Sequence, residues 1–184
     1  MRSKNITKTI ALTGILSAQA LALSFLESLI PAIAGFPPGA KPGFSNIVVM
    51  FAAGTLGIFQ TFSITFIKAL FAGLTRGFTA FFMSLSGGIL STAAALLLMR
   101  AKSNKFGYIG IGIICAVCHN IGQLCAASVI SGTPRLFISY GPFLLLAAML
   151  TGFLTGTVLK YVMPALEKQT RLIMKTKTDK GLNK

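Results

Sequence analysis

The chain has 184 residues, of which 54% are hydrophobic and only 11% charged, against about 25% charged in a soluble domain. With a mean hydropathy of +0.79, this excludes an ordinary soluble enzyme and points to an all-α integral membrane protein. A formal charge of +14 would suggest nucleic acid in a soluble protein, but here the basic residues stand at the ends of apolar runs, so no nucleic-acid partner is expected.

A helix needs ~20 apolar residues to cross the hydrocarbon core. The first run spans about 6–30 and stops at Pro31, with Glu27 near its far end. Its basic start and Ala18-Gln19-Ala20 have the form of a signal peptide, but the run is too long for one and continues past that site, so it is expected to be retained. The Pro/Gly-rich stretch PAIAGFPPGAKPG (31–43) follows and reads as a loop.

Two short runs come next, about 44–59 and 61–75, with Gly54, Gly57 and Gln60 around their join. They read as two spans, although one bent segment also fits. Ser45 and Asn46 open the first of them and can cap its helix. With Lys41 and Arg76 on the same side, the same helix terminus would also favour an anion. Lys68, in TFIKALFAGL, lies within the second.

The remaining runs are about 78–99, 107–131 and 140–163, which brings the expectation to six transmembrane helices. They form a single domain over 1–163, followed by a basic cytoplasmic tail (164–184) that is expected to be frayed or to lie on the surface. An even number of spans puts both termini on one side. Arg2, Lys4, Lys8, Arg100, Lys102, Lys105, Lys160 and the Lys-rich tail share that side, whereas the other holds Lys41, Arg76 and Arg135. This bias places both termini in the cytoplasm of a multi-pass protein of the cell membrane.

The fifth run contains CAVCHNIGQLC (115–125), with all three cysteines and the one histidine of the chain. Cys115-x-x-Cys118-His119 has the form of a c-type haem attachment site. That chemistry needs a water-accessible loop, whereas His119 falls about 18 Å into a continuous span. No Asp or Glu occurs between residues 28 and 166 to complete a metal site. No cofactor or metal is therefore expected, and the cysteines read as small apolar packing residues.

The polar part of the stretch is more informative. His119, Asn120 and Gln123 recur at helical spacing and are expected on one face. They read either as interhelical glue or as the wall of a ligand pocket. Lys68 at similar depth marks a site or an ion pair, for which Glu27 is the nearest acid in the span region; Glu27 can pair with Lys68 or with Arg76. Gly14, Ala18 and Ala22 recur every four residues along the first span, a pattern that allows close helix packing or the docking of a partner. The chain carries no nucleotide-binding P-loop, no Asp-rich diphosphate motif and no nucleophile–base–acid set, so binding is expected and catalysis is not.

SFLESLIP (24–31), KPGFSNIVVM (41–50), SLSGGILS (84–91), HNIGQL (119–124) and GTP (132–134), in that order, resemble the Gx transporter family. This family is also labelled heptaprenyl diphosphate synthase component I. It is similar to the substrate-binding S components of energy-coupling-factor (ECF) transporters, small six-helix proteins that bind a solute from outside. Those proteins associate with a transmembrane coupling subunit and two ATPase subunits. The resemblance implies a substrate site at Asn46, Lys68, His119, Asn120 and Gln123, to which Glu27 and Arg76 are added from their charge and place. It further implies a docking face at Ala18 and Ala22, and lids formed by the 31–44 and 132–139 loops. An isoprenoid-, flavin- or quinone-related solute fits this reading. A membrane accessory subunit of a prenyl diphosphate synthase and a membrane component of a redox chain are the alternatives.

Overall fold

The computed structural model describes the backbone of residues 2–29, 43–101 and 107–179, with side chains over 6–29, 43–101 and 107–164. Among these residues the chain forms six helices: α1 (Arg2–Leu29), α2 (Asn46–Thr55), α3 (Ile58–Arg76), α4 (Phe78–Arg100), α5 (Gly107–Ser131) and α6 (Arg135–Asp179). Five of them contain apolar stretches long enough to cross a membrane, the shortest of 19 residues. The protein is an all-α, multi-pass membrane protein. Large apolar side chains such as Phe59, Leu74, Val129 and Ile138 point outward, as a lipid-facing surface requires.

The second helix departs from expectation. Its ten residues reach about 15 Å, roughly half of a hydrocarbon core, so α2 does not span. Gly43, with φ +85, makes the turn that starts it, and Asn46 N–H returns to Gly43 O at 3.0 Å. Gly43 lies against the ring of His119, the middle residue of α5. α2 therefore starts at mid-height and runs to the end of the bundle that carries Arg100, where Leu56 accepts a hydrogen bond from the Arg100 guanidinium at 2.9 Å. Leu56 and Gly57 are extended, and α3 starts at Ile58. The segment 44–75 is thus a half-helix followed by a full span.

Gly77, at φ +90, is the only residue between α3 and α4 and caps both. The last two long helices pack through backbone. A Cβ on Gly112 would stand 2.7 Å from the Gly156 Cα, and one on Gly152 would stand 2.5 Å from the Ile113 Cα. α4 meets α5 in the same way at Gly87 and Gly122, so the Gly87-Gly88 pair is packing. An apolar core of Met50, Ala95, Leu96, Ile111, Cys115 and Leu159 fills the half of the bundle that holds α2.

One further expectation is corrected. Residues 135–139 are the first turns of α6, because Pro134 precedes the helix and suits its start, so a loop over 132–139 does not exist as a unit. α6 continues through Pro164 to Asp179, into the stretch expected to be frayed or to lie on the surface. The loop over 31–44 falls almost wholly outside the described residues.

Candidate functional site

Beyond the start of α2, in the half of the bundle away from Arg100, lies a polar cavity of about 20 Å³ lined by Ser24 and Glu27 of α1, Gly43 and Ser45, Lys68 and Arg76 of α3, Ser84 of α4, and His119 and Gln123 of α5. Helical periodicity assembles it. Ser24 and Glu27 are three residues apart, His119 and Gln123 four apart, and each pair shares a face. Lys68 lies about 15 Å along α3 and His119 about 18 Å along α5, so both reach the floor of the cavity.

The charged groups are held by the two residues that start α2. The Glu27 carboxylate accepts from Ser45 N–H at 2.8 Å and from Ser45 Oγ at 3.3 Å. It therefore sits at the positive end of the α2 dipole, where a carboxylate is stabilised. The Lys68 ammonium, only 2% exposed, donates to Asn46 Oδ1. Glu27 and Lys68 are thus each anchored on adjacent residues of one helix terminus. Ser45 gives α2 no side-chain cap bond, because its hydroxyl is turned to Glu27.

On the opposite wall, His119 Nε2 and the Gln123 side-chain amide are hydrogen-bonded, with His119 Nδ1 turned to Gly87. The Cys115-x-x-Cys118-His119 motif is a stretch of uninterrupted helix. Cys115 is buried in the apolar core, Cys118 is half-buried, and Cys125 is exposed on the outside.

Asn120 departs from the expected shared face. Adjacent helical residues diverge by about 100°, and Asn120 turns to α6, where its Nδ2 donates to Leu144 O at 2.9 Å. It lines a separate apolar groove between α5 and α6 with Phe137, Pro142 and Leu145. Ala18 and Ala22 lie on the exposed face of α1 together with Gly14, where an added Cβ would meet nothing.

The cavity also contains residues that were not singled out for it. Ser84 stands inside SLSGGILS, and Ser24 lies one turn before Glu27. Their signal was a small hydroxyl on a polar helix face, which is common among packing residues.

A comparison with protein-family profiles matches residues 16–162 to heptaprenyl diphosphate synthase component I. The chain belongs to this family. The matched stretch takes in every residue of the cavity, so the component I family is defined over the fold that builds it. No curated protein and no solved structure matches the chain.

Proposed function

We propose that this component I family member is a solute-binding subunit of an ECF-type transporter in the cell membrane. It takes a small molecule from the outer side into the α1–α5 cavity and hands it on when ATPase-bearing partners act on it. The role is binding and not bond-making. The observation that carries the reading is the buried Lys68 ammonium on the cavity wall. A lysine at the centre of a membrane helix costs about 2.5–3.5 kcal/mol. An interhelical hydrogen bond in a membrane returns on average ~0.6 and at most ~1.7 kcal/mol, so the bond to Asn46 as structural glue does not offset the charge. Attraction to Glu27 narrows the difference, yet Glu27 is itself buried and held by Ser45. A cost of this kind is usual at a site.

Ala18 and Ala22, on the uncovered face of α1, are the proposed contact with the coupling subunit. The proposed solute is an isoprenoid-, flavin- or quinone-related compound, of which the cavity would hold only a polar head. The family description favours a second reading, a membrane accessory subunit of a heptaprenyl diphosphate synthase. Tagged protein purified from its native membrane in mild detergent, with mass spectrometry of its partners, separates the two. Two ATPases and a membrane coupling subunit are the expected partners. A soluble prenyltransferase without ATPases would overturn the transport reading.

A further inference from the structure

The charges and donors of the cavity say what part of a ligand it can hold. Two cationic side chains, Lys68 and Arg76, line it with one carboxylate, Glu27. With His119 counted as neutral, the described lining residues carry a net charge of one positive unit.

The hydrogen-bonding capacity of the wall includes spare donors. Both oxygens of Glu27 already accept from Ser45. An ammonium has three hydrogens, and Asn46 takes one of those on Lys68. Two hydrogens of Lys68 and the Ser84 hydroxyl, all on the wall, can meet acceptor oxygens. A cationic ligand would meet two positive charges, Lys68 and Arg76, beside the single carboxylate.

Size narrows the choice. Sites for whole drug-sized ligands run to about 300–1,000 Å³, and this cavity, at about 20 Å³, is far below that range. It has room only for a small polar head group. The family description names a diphosphate, which brings two phosphoryl groups and at least two negative charges. Against a wall of net charge one, in a low-dielectric surrounding, the surplus charge would remain buried and unpaired.

We propose that the cavity seats a single monoanionic group of carboxylate size, held by Lys68 with Ser84 and balanced by the Lys68–Arg76–Glu27 set, and that it selects against both cations and diphosphates. This rests on the reading of the cavity as a solute site and specifies its ligand class.

The test uses the full-length protein in lipid nanodiscs, with thermal unfolding followed by circular dichroism. Sodium acetate, methylammonium chloride and sodium diphosphate serve as probes at matched ionic strength. Acetate at ten times its dissociation constant is expected to raise the midpoint by about 3–6 °C, and the other two probes to leave it unmoved. Lys68→Met should abolish the acetate shift. Glu27→Gln, which keeps the acceptor for Ser45 and raises the wall to two positive units, should move the preference from acetate to inorganic phosphate. If Lys68→Met fails to fold, Glu27→Gln and Ser84→Ala carry the test, Ser84→Ala by weakening acetate binding several-fold.

Diphosphate stabilising the wild type as well as acetate would overturn the proposal, as would an acetate shift that survives in the variants or one that never appears. These results do not depend on which partners co-purify. A diphosphate preference would thus sink the carboxylate seat and leave the transport role standing, whereas missing ATPases would do the reverse.

Discussion

Lys68, midway along α3, donates its ammonium hydrogen to the side-chain oxygen of Asn46, the first residue of α2. One residue earlier, Ser45 donates to Glu27 of α1. The start of a half-length helix therefore holds one positive and one negative side chain from two different spans. Broken helices whose termini meet at mid-membrane are a recurrent way to build solute sites in transporters, because the freed backbone and dipole face a cavity instead of lipid.

Removing the charge at position 68 should separate binding from folding. Lys68→Met retains most of the buried stem and relieves the desolvation cost, so helical content and melting should stay close to wild type. Loss of a charged hydrogen bond corresponds to roughly 10- to 100-fold weaker ligand binding. Isothermal titration of the purified variant against the native solute would check it, and equal affinity would count against a binding role.

Glu27 should matter for stability as well as for ligand. Glu27→Ala leaves the buried Ser45 amide without its acceptor, at a cost of about 1–3 kcal/mol. Glu27→Gln keeps an acceptor and should cost less than about 1 kcal/mol. Melting of the two variants side by side tests whether the carboxylate caps α2 as described.

Asn120 is expected to behave differently from its neighbours. It bonds the α6 backbone and lies outside the polar cavity. Asn120→Ala should lower stability by about 1 kcal/mol and leave solute affinity within about twofold, whereas His119→Ala should reduce affinity. A binding defect in Asn120→Ala equal to that of His119→Ala would contradict this division of α5.

The close approach of α4 and α5 gives a contrast between glycines. A Cβ at Gly122 would stand 2.6 Å from the Gly87 Cα, so Gly122→Ala should destabilise by about 1–3 kcal/mol and disturb the wall at His119. Gly14 has open space around it, and Gly14→Ala on exposed α1 should be neutral or stabilising by about 0.5–1 kcal/mol. Yields of monodisperse protein and melting midpoints would show both effects.

The long spans were legible because length and hydropathy set them directly, and α5 begins and ends where its apolar run does. The halving of α2 was not. The run over 44–59 stays apolar past the end of the helix at Thr55, through Leu56, Ile58 and Phe59, and contacts far away in sequence meet the helix at its end: Gly54 lies under the methyls of Met99 and Met163, and Arg100 holds the Leu56 carbonyl. Likewise, spacing grouped His119 with Asn120, but only the position of α6 decides that the two diverge. The polar residues themselves could be picked out singly, since Lys68, Glu27 and His119 are conspicuous at their depth. Their meeting at Ser45 and Asn46 depends on packing between helices, which periodicity within one helix cannot express.

The most direct test of the solute-binding role is extraction of what the protein carries. Wild type and Lys68→Met would be purified from the native membrane in parallel, precipitated in acidified methanol, and the released small molecules quantified by mass spectrometry. The cavity as described predicts one anionic compound in near-stoichiometric amount from the wild type, reduced at least tenfold in Lys68→Met. Equal recovery from both proteins, or none above the lipid background from the wild type, would contradict it.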